Sequence, residues 1–443
     1  MKTIDFIHDL DWDQIPDYVQ HQVKRCLLDT IGSAIGGRRM ELSKIIYDFV
    51  CQVYGGKGAT LWLDGREVSP AGAALAHGMT IDALDIHDNF NAAKGHAGVA
   101  IVPAALATLN LTEDTITGRE LLATLAVGYE VALRAGLSLH ATVCDYHTSG
   151  AWNALGCAAI VARRMGLKRE VTRHALGIAE YHGPRSQMMR CIDHPTMLKD
   201  GSGWGAMVGV SAGMLAAQGF TGAPAVTVES EEVAEFWADI GERWYLIDQD
   251  FKRHAVCHWA QPPIAGAVGL MHKHGISPQD ISRVRIFTFH EATRLTCCRP
   301  KSTEEAQYSL PFPVAAAIIH GRLGPDELSG EGLTDPRVMN IVDLIEMQED
   351  DECNALFPKV QVARVKIETT GGEVFESDLV PSPWDIPYTP ESMTPSDQAL
   401  GEKFQWLASG SMSESRTEQL EARICSCEEL GDSNSLNDLL YTP

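Results

Sequence analysis

The 443-residue chain lacks three features that would each have pointed to a class of function. It has no basic excess: 36 Lys+Arg stand against 59 Asp+Glu, a formal charge of −23. A phosphate-binding surface needs a basic footprint, so nucleic acid and anionic membranes are excluded as general partners. It has no uninterrupted apolar run of the roughly 18–20 residues that cross a bilayer. Its first stretch, MKTIDFIHDLDWDQIP, is polar and acidic, unlike a leader, and a soluble, cytoplasmic protein is expected. It has no C-x-x-C pair either. The 11 cysteines stand singly or as Cys297-Cys298 and Cys425-Ser426-Cys427, which offers neither a zinc ribbon nor a common iron–sulfur run and reads as reduced, mostly buried thiols.

What is present is ordinary globular material, 45% hydrophobic and 21% charged, so a large core is expected, and the length suggests two or three domains. Val19, Val23, Leu27, Ile31 and Ile35 recur every four positions before Gly36-Gly37, which predicts a helix with a glycine stop. Stretches 99–109, 121–135, 151–165 and 206–217 are rich in Ala and Gly with little β-branched alternation, and predict helices packed closely through small residues. After about residue 250 the texture changes. Residues 284–289 and 365–369 alternate like strands, and Gly371-Gly372 before Glu373-Val374-Phe375 signals a hairpin. Stretch 306–319 reads as a helix that Pro311 and Pro313 kink or begin. The five prolines of 381–395 predict an extended connection, followed by a short helix near 400–407.

Four clusters combine titratable side chains with glycines or caps. In the first, Asp85 and Asn89 share a face if the segment is helical, and His96 lies between glycines before a helix, where a neighbouring carboxylate can tune it as acid or base. Asp85, His87, Asp88 and His96 are also metal-ligand types, but nothing in their spacing selects a metal. In the second, His147 precedes Thr148 and Ser149, natural caps for the next helix, so the positive end of the helix dipole would favour the neutral ring. In the third, Lys199 stands beside a glycine-rich helix start that could hold a carboxylate or phosphate. Arg185 and Arg190 are further carboxylate forks, with plain surface solvation as their alternative. The fourth packs Lys252, Arg253, His254, Cys257 and His258 into seven residues.

Taken in order, Ala83-Leu84-Asp85 with Gly95-His96, His147-Thr148, Met197 to Lys199, Gly219-Phe220-Thr221-Gly222, Lys252 to Cys257, and Thr303 to Pro311 resemble the MmgE/PrpD family, whose members include 2-methylcitrate dehydratases, cis-aconitate decarboxylases and iminodisuccinate epimerases. The resemblance extends over nearly the whole chain. It implies a mainly α fold: an all-helical domain from residues 1–248, completed by 393–443, with a smaller α+β lid domain from 249–392, in a homodimer. It also implies cofactor-independent chemistry, without metal, on a small di- or tricarboxylate in the cleft between the domains. Asp85, Asn89, His96, His147, Lys199, Lys252 and Cys257 fall on positions lining that cleft. The expected roles are proton transfer by His96 and His147, tuning by Asp85, and carboxylate binding by Lys199 and Lys252, with Asn89, Arg185, Arg190, Cys257 and His258 as further substrate contacts. Phe312 stands where the decarboxylase has a tyrosine. A hydro-lyase resembling 2-methylcitrate dehydratase is therefore placed first, a dicarboxylate epimerase second and a decarboxylase third.

Overall fold

The computed structural model describes residues 3–384 and 393–441, so most of the predicted proline-rich connection, 385–392, lies outside the described residues. The fold is mainly α with a small α+β portion. Its helical part is built from Asp17–Gly37 (α1), Pro70–Asp82 (α2), Gly98–Ala107 (α3), Gly118–Thr142 (α4), Gly150–Arg164 (α5) and Ser202–Ala217 (α6). All but α2, for which no helix was expected, follow the predicted segments, with α4 running well beyond 121–135. By length and composition α4 is apolar enough to cross a membrane, yet 94% of its apolar window is buried inside the protein, where Glu130 and Arg134 pair at 3.2 Å.

Small residues set how closely the helices approach. A Cβ on Gly205 of α6 would stand 2.5 Å from the Gly150 carbonyl oxygen of α5, so these two helices can touch only through glycine. Gly203 and Gly205 thus serve packing, while Gly201 supplies the left-handed residue, φ +65°, that precedes the helix.

In the second half, Gln261–His274 (α7) and Pro311–His320 (α8) pack together beside a four-stranded sheet. A separate hairpin of Gly55–Thr60 (β1) and Glu67–Val68 (β2) lies in the helical part, and its glycine-rich sequence carries no alternation that would reveal a strand. The sheet comprises Ile281–Thr288 (β3), Ile345–Glu349 (β4), Ala363–Thr369 (β5) and Val374–Glu376 (β6) in the order β4-β3-β5-β6, with β3 and β4 parallel and the other pairs antiparallel. The β5–β6 turn is the predicted glycine hairpin, with Gly372 at φ +85°. The predicted helix 306–319 is two, Thr303–Gln307 and α8: the chain leaves helical backbone at Tyr308 (φ −101°, ψ 50°), and Pro311, which has no N–H to donate, begins the second. After the connection, Asp397–Ala408 (α9) returns to pack on α1, with Phe404 against Gly32.

Candidate active site

The site forms where α2 stops. Ser69 and Pro70 start that helix, and it ends at Asp82, after which Asp85 turns the chain at φ +51°. Asp85 and Asn89 therefore do not share a helical face; they reach one cavity from an irregular turn. Two buried lysines grip successive carbonyls of that turn. Lys252 donates to the Asp85 carbonyl at 2.7 Å and to its carboxylate, while Lys403 of α9 donates to the Ile86 carbonyl at 2.7 Å and to Asp29. Burial pushes the Asp85 carboxyl up, but Lys252, Lys199 and His96 outweigh it and hold it below its ordinary range.

His96 is fixed from three sides. Its backbone N–H donates to Ser149 Oγ at 3.0 Å, its carbonyl accepts from Asn153 at 2.9 Å, and its Nδ1 donates to the Asp88 carbonyl at 2.7 Å. A carbonyl can only accept, so Nδ1 carries the proton and Nε2 keeps its lone pair. Nε2 stands 4.0 Å from Asp85 Oδ1, too far for a hydrogen bond. Asp85 thus acts on the ring through charge, and Asp88 does the orienting. Burial, then Lys252, push the His96 ring down to about 3, with Asp85 opposing. His87 stacks on it at 4.6 Å. Gly95 is required here: a Cβ would lie 2.2 Å from Ser149 Oγ. Gly95→Ala is expected to cost about 1–3 kcal/mol in a urea unfolding curve, and an unchanged midpoint would contradict this packing.

Ser149 does not cap α5 with its side chain. Its hydroxyl and its backbone N–H, the latter at 3.1 Å, donate instead to Asp200. Asp200 in turn donates its N–H to Asp82 at 3.3 Å. Burial raises the carboxyls of both Asp82 and Asp200, and their mutual repulsion adds to it for Asp200. Beside them, Lys199 is 2% exposed and sits at φ +51°. Its Nζ donates to Gln307 Oε1 and lies 5.0 Å from the Tyr308 ring centre, and it forms no ion pair among the described residues. Gln307 is held by the Ala83 carbonyl at 3.0 Å. Asp85, Asn89, Lys94, His96, Tyr146, Asp200, Cys257, His258, Tyr308 and Gln361 line a cavity of about 30 Å³.

The sequence matches the MmgE/PrpD N-terminal domain over residues 2–239 and the MmgE/PrpD C-terminal domain over residues 254–427. The chain belongs to the MmgE/PrpD family. Human cis-aconitate decarboxylase is 25% identical over 465 residues, covering 99% of this chain and 93% of that protein. The mouse cis-aconitate decarboxylase is 23% identical, covering 99% and 92%. A mitochondrial 2-methylcitrate dehydratase of Yarrowia lipolytica is 23% identical, covering 94% and 85%.

In this MmgE/PrpD protein the structure brings together Asp85, Asn89, His96, Cys257 and His258 on the cavity wall, with Lys199 and Lys252 directly behind. It does not bring His147 there. That ring lies among Arg185, Asp145 and the backbone of Ser186, and burial, then Arg185, lowers its pKa. Arg185 and Arg190 are exposed, which fits solvation rather than a cavity contact. Cys257 is pushed up to about 12 by burial and then Asp85, so it is a neutral thiol and no nucleophile at ordinary pH. Asp88 spends its oxygens on Tyr129 at 2.6 Å and Gly98 at 3.1 Å, and among the described residues no three His, Cys, Asp or Glu side chains converge as a metal-ligand set. Asp82, Asp200, Gln307, Tyr308 and Gln361 were not singled out from sequence as site residues. Gln307 and Tyr308 lie inside a family motif, which is a usable signal; Gln361 has none.

Proposed function

We propose that this protein is a lyase acting on a small di- or tricarboxylate, by removal of a proton next to a carboxylate, as a hydro-lyase of the 2-methylcitrate dehydratase kind. One observation carries the reading: the buried Lys199 meets an amide oxygen and an aromatic ring and has no carboxylate within ion-pair distance among the described residues, Asp82 and Asp85 acting on it only from farther off, while Lys252 is already paired with Asp85. A buried lysine whose carboxylates stand beyond contact is incompletely compensated, and an anionic substrate supplies the direct contact. The family membership and the names of the relatives support the same class.

In this account His96 Nε2 takes the α-proton, and Lys199 and Lys252 stabilise the charge that develops on the adjacent carboxylate. Tyr308, whose hydroxyl burial holds in its protonated form, and the Asp82–Asp200 pair are proton donors at hand for a departing hydroxyl. A second reading, loss of CO₂, is favoured by Tyr308 itself. Phe312 lies in the core and is absent from the cavity lining, so its missing hydroxyl does not argue against a decarboxylase, and Tyr308 is a tyrosine that does line the cavity, its hydroxyl beside the Cys191 thiol. Purified protein incubated with candidate acids in D₂O separates the reactions: a dehydratase yields an alkene, a decarboxylase yields CO₂, and an epimerase exchanges the α-proton alone. A full panel without any of these would contradict the proposal.

A pH profile adds a sharper check. His96 must be neutral to act as base, and its folded value of about 3 lies below the ordinary 6.5. The acid limb of kcat/KM, which reports the free enzyme, is therefore expected below about pH 5. A limb near 6.5 would show that the essential base is a solvated histidine.

A further inference from the structure

Two segments distant in sequence meet at the edge of the cavity. Asn91 donates its amide to the carbonyls of Pro358 at 3.2 Å and Lys359 at 2.8 Å. Gln361 donates to Asn91 Oδ1 at 2.7 Å, and the other end of its carboxamide, Oε1, meets His258 Nδ1 at 2.5 Å. Asn91, Gln361 and Trp259 line both the 30 Å³ cavity and an adjoining vestibule of about 210 Å³ that also touches Phe357 and Arg294. The amide pair is thus part of the wall between the two. The inner space holds about one water, so it must widen to admit a carboxylate substrate, and the amide pair belongs to the part of its wall that faces the vestibule.

The bonds also have a direction. Backbone carbonyls only accept, so Asn91 must turn its NH₂ toward Pro358 and Lys359 and its oxygen toward Gln361. Gln361 must then turn its NH₂ toward Asn91 and its oxygen toward His258. His258 is left with one choice, a proton on Nδ1 and a lone pair on Nε2, the same tautomer that the Asp88 carbonyl imposes on His96.

We propose that Gln361 is a positioning residue that couples closure of the cavity to the tautomer of His258, making His258 a second proton-transfer group beside His96. With the wall shut, Oε1 holds the proton on Nδ1. With the wall parted, the bond is lost and the ring exchanges tautomers. The groups acting electrostatically on His258 are Lys252, Asp85 and His96, with Gln361 as its hydrogen-bond partner. The kinetic part of this inference rests on the carboxylate-lyase reading; the tautomer part stands without it.

The test uses the full chain with ¹⁵N-labelled histidine. The His258 signals, assigned by their disappearance in His258→Gln, are expected to show a protonated Nδ1 and a bare Nε2. Gln361→Leu and Asn91→Ala are each expected to abolish that single tautomer while the melting curve stays cooperative, and Gln361→Glu is expected to keep it. In turnover, Gln361→Leu is expected to lower kcat about 10-fold with a smaller change in KM, and Gln361→Glu to restore part of the loss and move the acid limb upward. Wild-type signals with the proton on Nε2, or signals unmoved by Gln361→Leu, would overturn the coupling. The expected tautomer behaviour in a protein that turns over no tested acid would support the coupling and count against the lyase reading instead.

Discussion

Replacing Lys199 with methionine is expected to lower kcat/KM about 10³-fold on the true substrate, a loss of about 4 kcal/mol of transition-state stabilisation. The direction follows from the charge arithmetic of the cavity. Lys252 and Asp85 form one buried pair and Lys403 and Asp29 another, whereas Lys199 is in contact with Gln307 and the Tyr308 ring and feels the Asp82 and Asp85 carboxylates only from beyond ion-pair distance. The same reasoning makes an unusual prediction for stability. Methionine has nearly the size of lysine and no charge to desolvate, which offsets the lost attraction to Asp82 and Asp85, so the variant is expected to melt close to the wild-type temperature. Steady-state rates and thermal melts on one preparation check both halves. A variant with turnover within tenfold of wild type would mean that Lys199 serves the fold and not the substrate.

His96→Gln is the second large effect, an expected drop of 10²–10⁴-fold in kcat together with loss of α-proton exchange. His147→Gln is the informative companion. Both histidines precede helices and both looked suited to proton transfer from sequence. Only His96 faces the cavity, so the His147 variant is expected to keep most of its rate. Equal losses in the two variants would contradict the placement of His147 among Arg185 and Asp145.

That contrast shows where sequence reasoning succeeds and where it stops. Helix α1 and the strands β3 and β5 follow apolar periodicity, and α3, α5 and α6 follow an Ala- and Gly-rich composition, signals local to each segment, and each lies where its signal predicts. The β1–β2 hairpin was invisible because Gly55-Gly56-Lys57-Gly58 has no alternation to read. In the site, Asp85, His96, Lys199, Lys252, Cys257 and His258 are charged, nucleophilic or imidazole side chains beside glycines and carry a local signal. Asp82 and Asp200 do not, because what distinguishes them is burial and each other's charge across 118 positions of sequence. Gln361 was equally silent. A glutamine acquires a role only through what stands at its two ends, here Asn91 and His258, both far from it in the chain.

The acidity of the chain fits the same picture. Residues 321–443 hold 25 acidic and 8 basic side chains, a balance of −17, against 34 and 28, or −6, for residues 1–320. Most of the cavity-lining residues belong to the less acidic part, and distant surface charge is screened within about 8–10 Å at ordinary salt. The net acidity of the chain therefore does not set the potential at Lys94, Lys199 and Lys252.

The most direct test of the central claim is a crystal structure with an unreactive tricarboxylate, such as tricarballylate, soaked or co-crystallised at its measured affinity. The account predicts one carboxylate within hydrogen-bond distance of Lys199 Nζ and the adjacent C–H directed at His96 Nε2. A ligand seated instead at Arg185 and Arg190, or in the outer vestibule with no contact to Lys199, would contradict it.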